Sequence, residues 1–324
     1  MPWPIKTLRF RMKWKFKHIL KLLLFQLKKS KFAVTEINAE YSIYKMQNRR
    51  SKQVHSIYMI KDRGMFDQVR KSGGWETKES EVASELIINS ESNLVVDLGA
   101  NHGLWSLEVL SILREQNHTL SKLITVEPDR AMCACINFNL LPVLQAETFH
   151  QNFNFALVST GSTEIELNSS QLQKLVLKRD SQNIGHTTLD SDLVPANRAA
   201  NLYSHGKIAT EFFSTTDFLS SENTIFLKSD IQGFDAPILS AICQEVWSNI
   251  GGFQIEIWPI GKHHLEIDGL MKTWSDDFDL FFLENDHRNQ IDLMSLSDYW
   301  KSNTLIDHIF GEYKTLFGIR KSKL

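Results

Sequence analysis

The apolar residues of this chain fall into short runs whose rhythm switches between strand and helix, most regularly between residues 94 and 140. Leu94-Val-Val-Asp97 is a continuous apolar run closed by one acid, as expected of a strand buried on both faces. A turn at 99–103 follows, then a helix over 104–113, a strand over 123–126 and a helix over 129–140. Strand and helix alternating in units this short predict a parallel sheet with crossover helices. Upstream, 77–88 has helical spacing, with Val82, Leu86 and Glu85 near its apolar edge, and 32–75 holds short mixed strands such as 57–60. Downstream, 153–158 and 163–167 have strand character, and 168–206 is a polar, irregular excursion beside the site. Order returns with a strand at 224–228, a helix from Asp235 whose first turn suits Pro237, and a strand at 253–257. The segments 278–284 and 314–319 then form the antiparallel pair that completes a seven-stranded sheet. No internal repeat is visible.

The first 31 residues follow a different rule. Met12, Phe16, Ile19, Leu20, Leu23, Leu24 and Leu27 share one face at helical spacing. Lys17, Lys21 and Lys28 flank that face, while Trp14, Leu22 and Phe25 fall off it. Ten of the 36 Lys and Arg residues lie here with no acid among them, so a net charge of −2 conceals 26 basic against 38 acidic side chains in the rest. A basic amphipathic helix of this kind suits an anionic membrane surface, or packing on the body or on a second subunit; both stand. No small-residue cleavage site follows the apolar run, which argues against a secretory signal. The organisation expected is a basic amphipathic segment at 1–31, a lead-in at 32–75 and one catalytic domain at 76–324.

With 324 residues, 42 % of them hydrophobic and 23 % charged, the chain suffices for one large α/β domain and an appendage. The longest apolar-rich piece, 19–27, is interrupted by Lys21 and Gln26 and is too short to span a membrane. Three cysteines, with Cys133-Ala-Cys135 too tight for a zinc finger pair, point to a reducing cytosol, with any membrane contact peripheral and at the inner face. The acidic body excludes nonspecific nucleic-acid binding. Oligomeric state is not legible.

Chemistry concentrates at the ends of the expected strands, where ligands bind in open α/β sheets. The first ends in Asp97-Leu-Gly99-Ala-Asn101-His-Gly103. Its two glycines permit a tight turn and close approach of a ligand, and the next helix points amide N–H groups at the same place. A nicotinamide site wants G-x-G-x-x-G with an acid about 20 residues on. This loop instead places an acid before the first glycine, which suits the cationic amino-acid end of S-adenosylmethionine. The second strand ends in Val126-Glu127-Pro128, where Glu127 is placed to accept from both ribose hydroxyls and Asp129 to cap the following helix. The fourth main strand ends in Leu227-Lys228-Ser-Asp230, with Lys228 and Asp230 on one face, as a functional pair or a plain strand-end ion pair. Glu256 ends a neighbouring strand and faces the same pocket or serves as a structural partner.

Taken together these segments resemble the FkbM-type methyltransferase family. The resemblance is carried by Val95-Val-Asp-Leu-Gly-Ala-Asn-His-Gly103, Val126-Glu-Pro128, Asn137 and Asn139, and Asn154-Phe-Ala156-Leu-Val-Ser159 with Gly161. Thr216-Asp217-Phe-Leu219, Leu227-Lys-Ser-Asp-Ile-Gln-Gly-Phe-Asp235 and Ile255-Glu-Ile-Trp-Pro259 continue it in the family's order, over residues 74–284. It implies a class I, Rossmann-like S-adenosylmethionine-dependent fold, with helices on both faces of a mostly parallel sheet. It implies O-methylation of a hydroxyl on a sugar, glycan or natural product, with the cofactor at Asp97, Gly99, Asn101, Gly103, Glu127, Pro128 and Ala156. The family usually has Glu where Gln232 and Asp235 stand and His where Trp258 stands, which bears on the substrate more than on the cofactor.

An alcohol nucleophile must lose its proton as the new C–O bond forms, and positioning supplies most of the remaining rate. Asp230 is the expected base or orienting group, with Lys228 holding and tuning its carboxylate and Glu256 beside them. A divalent cation on Asp230, Asp235 and Glu256 is possible but not favoured. Glu76, His186 and Asp235 are candidate substrate contacts, with Trp75 and Glu76 placed to close over the cofactor. His102 is expected to point outward from the turn, and His263-His264 to start a surface helix. The rival classes are a catalytically inactive membrane-associated binding protein on the same fold and, less favoured, a nicotinamide-dependent oxidoreductase.

Overall fold

In a computed structural model, the described residues are 74–154, 224–231, 235–240, 242, 244–257, 263–284 and 314–321, with Met65, Val69 and strands at 34–36, 41–47, 54–60, 156–158, 176–180, 202–207, 210–212 and 287–290. The basic amphipathic segment of 1–31, with the helix expected from Met12, the expected strand of 163–167 and His186 lie outside them.

Three strands, β1 (Val34–Glu36), β2 (Tyr41–Gln47) and β3 (Val54–Ile60), form a small antiparallel sheet. The main sheet alternates with helices α1 (Thr77–Asn89), α2 (Leu104–Glu115) and α3 (Arg130–Leu140) around β4 (Leu94–Leu98), β5 (Lys122–Val126) and β6 (Phe149–Phe153). The short strands β7 (Ala156–Val158), β8 (Val176–Asp180), β9 (Leu202–Lys207) and β10 (Thr210–Phe212) follow. The second half comprises β11 (Ile225–Ser229), α4 (Asp235–Ser240), α5 (Gln244–Ser248), β12 (Ile250–Ile257), α6 (His263–Asp277), β13 (Phe278–Glu284), β14 (His287–Gln290) and β15 (Lys314–Arg320).

The order across the main sheet is β14-β13-β15-β12-β11-β4-β5-β6. Strands β12, β11, β4, β5 and β6 pair in parallel. β15 inserts antiparallel between β12 and β13, so β13 runs with the parallel set, and the short β14 folds back on its outer edge. Seven strands thus form the expected mostly parallel sheet, and β14 is an eighth at the rim.

Each face of the sheet has its own core, as a parallel sheet requires. Leu94, Val96 and Leu98 of β4 point to the face covered by Ala236, Trp247 and Trp274 from α4, α5 and α6. Val95 points the other way, toward Leu86, Leu107 and Ile136 of α1, α2 and α3, with Ile57 and Met59 of β3 joining. On the first face the rings of Trp247, Phe253, Trp274 and Phe278 pack with centroids 5.1–6.1 Å apart. Arg320 ties the end of β15 to this cluster, donating from Nε to the Ile250 carbonyl at 2.7 Å and lying 4.4 Å from the Phe278 ring.

Two expectations are corrected. The strand anticipated at 153–158 is two strands, and its sheet-forming part lies earlier, at Phe149–Phe153. This edge strand is rich in polar residues because His150 and Asn152 face the hydroxyl of Thr125 on β5, at 3.1 Å each. The excursion of 168–206 is not wholly irregular, since β8 and β9 pair antiparallel across it.

Candidate functional site

The order reverses between β4 and β11, which places the crevice of the sheet at their carboxyl ends. Gly99 leaves β4 with φ 75°, and a Cβ there would collide with the backbone carbonyl of Asp230 as β11 ends. Only glycine combines that conformation with that approach. Asn101 also has positive φ, at 54°, and Gly103 reaches 75° against the backbone of Ile136 before opening α2. His102 turns inward, against expectation. It is fully buried, and its Nε2 accepts from the Ile60 amide at 3.2 Å. Asn139 braces the same turn by donating to the His102 carbonyl at 2.8 Å and pairing with both backbone groups of Tyr58 at 2.7 and 3.0 Å. The small sheet is therefore stitched to the turn through β3.

Beneath the crevice a polar row crosses five parallel strands in register, through Asn152, Thr125, Asp97, Lys228 and Gln254. Lys228 Nζ lies 3.0 Å from Asp97 Oδ1 and 3.9 Å from Asp230 Oδ2, so its close partner is Asp97 rather than Asp230. The second Asp97 oxygen accepts from Ser106 Oγ at 2.6 Å. Trp105 lays its ring 5.7 Å from Lys228 Nζ and donates from Nε1 to Gln254 Oε1 at 3.0 Å. Burial alone would lower the Lys228 pKa, but Asp97, Asp230 and Glu76 overcome it and hold the ammonium above its ordinary range. Asp97 is wholly enclosed, so its carboxylate faces Lys228 and Ser106 and not the mouth of the crevice.

Glu127 stands at the end of β5, 5 % exposed, with Oε2 accepting from the Asn101 amide and Oε1 from the Asp129 amide, each at 2.8 Å. Burial pushes its carboxyl up to about 8, although the Asn101 amide and Lys228 pull it back. Asp129 is the helix cap, accepting from the Ala131 amide at 2.8 Å, which leaves Glu127 aimed at the turn. Asn154 donates to the carbonyls of Glu127 and Pro128, fixing the start of the following segment.

The remaining expected residues divide. Asp230, with its side chain 20 % exposed, is at the crevice edge, and its amide donates to the Leu98 carbonyl at 3.0 Å. Glu256 lies two residues beyond Gln254 on the same face of β12 and is half-buried. Asp235 is buried, accepting from Ser229 Oγ and the Ile231 amide, so its carboxylate holds the turn after β11. Ala156 opens β7 and pairs with Thr210 of β10. Glu76, the residue before α1, joins the charge cluster from the helix side, and burial, opposed by Lys228 and reinforced by Asp230, Glu79 and Asp97, raises its carboxyl to about 8. Sequence reasoning missed Trp105, Ser106 and Gln254, each an ordinary residue in its own element. Among the described residues no group of three or more His, Cys, Asp or Glu side chains is arranged to hold a metal.

The strand order, with one antiparallel strand inserted before the last, and a glycine turn at the reversal, define a class I methyltransferase fold. No protein-family model matches the chain, and no curated protein matches its sequence. Among solved structures it is similar to the methyltransferase FkbM from Methylobacillus flagellatus KT, at 13 % identity and TM-score 0.34, over 70 % of this chain and 44 % of that one. It is also similar to TrmK of M. capricolum in complex with S-adenosylhomocysteine, at 11 % identity and TM-score 0.33, over 76 % of this chain and 68 % of that one. The plantazolicin methyltransferase BpumL, likewise in complex with S-adenosylhomocysteine, matches at 9 % identity and TM-score 0.33, over 80 % of this chain and 90 % of that one. The chain spans less than half the length of the first of these. The assignment of the fold rests on the strand order, and the FkbM-type resemblance on the sequence motifs.

Proposed function

We propose that the protein is an S-adenosylmethionine-dependent methyltransferase acting on a hydroxyl of a sugar, glycan or natural-product acceptor. The observation that carries this reading is Glu127: a buried carboxylate at a strand end, beside a glycine turn that admits no Cβ at Gly99. Each of its oxygens accepts one backbone amide and keeps a further lone pair, and a pair of ribose hydroxyls supplies two donors for these. The buried Asn101 Oδ1, which has no hydrogen-bond partner among the described residues, lies in the same turn and fits a nucleoside as well. When bound, S-adenosylmethionine supplies an electrophilic methyl group.

Asp230 accepts the proton of the acceptor hydroxyl or orients that hydroxyl at the crevice edge. Lys228 acts mainly through Asp97, locking β11 to β4 so that Asp230 and the glycine turn keep their spacing. The head of residues 1–31 holds the enzyme at an anionic membrane surface, where lipid-linked glycans are the acceptors its position favours.

Calorimetric titration with S-adenosylmethionine tests the cofactor, and transfer of labelled methyl to a panel of glycans and hydroxylated natural products tests the chemistry. Asp230→Asn keeps the shape and removes the base, so turnover falls by about 10²–10⁴-fold while cofactor affinity is unchanged. Near-wild-type turnover by that variant would make Asp230 structural, and an absence of binding by the wild type would end the reading.

A further inference from the structure

His102 takes no part in the chemistry above, yet it sits in the middle of the turn on which that chemistry depends. The Gly103 amide donates to the Ala100 carbonyl at 2.8 Å, so Asn101 and His102 are the two central residues of a β-turn. The entry to this turn is fixed from the sheet, since the Gly99 and Ala100 amides both donate to the Val126 carbonyl, at 3.0 and 3.1 Å. On its crevice side the Asn101 amide donates to Glu127 Oε2 at 2.8 Å. Asn101 does so with φ 54°, a left-handed backbone that Asn tolerates without preferring, so contacts beyond the turn decide whether it stays.

Those contacts come from β3 and α3, and they act through His102. Its ring is fully buried, and Nε2 accepts from the Ile60 amide at 3.2 Å. A backbone amide can only donate, so this nitrogen carries the lone pair and the ring's proton is on Nδ1. The His102 carbonyl accepts from Asn139 Nδ2 at 2.8 Å, and Asn139 in turn holds both backbone groups of Tyr58. Tyr58 and Ile60 are two residues apart, so both meet their partners along one edge of β3, the edge turned away from β2. His102 and Asn139 thus stand where a further strand would pair. With Ala100 tied to β5 and His102 tied to β3, the peptide group of Asn101 between them is held from both sides against swinging away from Glu127.

We propose that His102 is a positioning residue for the cofactor's nucleoside: by gripping β3 it keeps the Asn101 amide on Glu127 and so aims that carboxylate at the ribose hydroxyls. This rests on the methyltransferase reading above. It also makes the small sheet, which lies before the catalytic domain expected at 76–324, a working part of the cofactor site.

Calorimetry with S-adenosylhomocysteine on the full chain tests this. Gln places its side-chain oxygen near the position of Nε2, whereas Asn places its own near Nδ1, short of the Ile60 amide. His102→Asn should therefore weaken the ligand about tenfold, the scale of one lost buried hydrogen bond, while His102→Gln stays within about threefold of wild type. Repeating the measurement in Glu127→Ala separates positioning from packing. With that carboxylate gone the place of the Asn101 amide no longer bears on the ribose, and His102→Asn should then cost less than about twofold. Hydrogen exchange at the Ile60 amide should quicken in His102→Asn and not in His102→Gln. Asn139→Ala, which frees the His102 carbonyl instead, should show the same dependence on Glu127 and decides the matter if His102→Asn does not fold. Equal losses with Glu127 present and absent, a Gln variant no better than the Asn one, or unchanged affinity or Ile60 exchange in the Asn variant overturn the role of His102 and leave the nucleoside site standing. Failure of the wild type to bind S-adenosylhomocysteine overturns the methyltransferase reading, and this role with it.

Discussion

Glu127 makes a claim that requires no ligand to test. Its carboxyl is raised from 4.5 to about 8, chiefly by burial, so between those values the folded protein binds a proton there that the unfolded chain has lost. Stability from this group is complete below about pH 4.5, declines as pH rises, and is gone above about 8. At roughly 1.4 kcal/mol per pKa unit the full effect is on the order of 4–5 kcal/mol, an upper bound that water entering the crevice reduces. Glu76 contributes a slope of the same sign, so the informative quantity is the difference between wild type and Glu127→Gln.

The variant cannot ionise, and it loses something too. Two backbone amides, from Asn101 and Asp129, point at the two oxygens, and the Gln amide nitrogen must face one of them. That mismatch costs about 1–3 kcal/mol at every pH. Glu127→Gln is therefore less stable than wild type at pH 5, and the gap narrows or reverses by pH 8.5. Urea unfolding of the cofactor-free protein at half-unit steps from pH 5 to 9 measures both curves. Parallel curves would refute the reasoning, because they would mean that Glu127 is already ionised and solvated in the folded protein.

Lys228→Met leaves Asp97 charged and enclosed without its partner, and should cost about 3–5 kcal/mol in urea unfolding at pH 7, most of it recovered on adding Asp97→Asn. A single-variant loss under about 1 kcal/mol would contradict a buried pair. Asn139→Ala removes three hydrogen bonds between α3, β3 and the turn, at roughly 2–4 kcal/mol. Hydrogen exchange at the Tyr58 amide should accelerate in that variant, and unchanged protection there would disprove the stitch. Deletion of residues 1–31 should release the protein from anionic liposomes in flotation while cofactor binding persists, and the wild type should leave those liposomes in high salt, as screening of about 1 kcal/mol per basic residue requires. Wild type that never floats would dismiss the membrane role.

The parts of the fold visible in the sequence are those whose pattern is local. Leu94 to Val96 is apolar because both faces of β4 are covered, and Asp129 is recognisable as a cap because its partners, Ala131 and Met132, lie two and three residues on. Strand β6 is hidden for the converse reason: its side chains complete a hydrogen-bond network with Thr125 and Cys133 rather than an apolar face. The site shows the same division. Gly99, Gly103 and Glu127 can be read because a turn and a strand end impose their chemistry on neighbouring residues. The partners of Asp97 and Lys228 cannot be, since their pairing depends on β11 lying beside β4 in a particular register. Trp105 and Gln254, 149 residues apart, meet for the same reason. A strand shift of one residue would send Asp97, Lys228 and Gln254 into the apolar core on the opposite face. The polar row therefore pins the sheet's register, and with it the spacing between the glycine turn and Asp230.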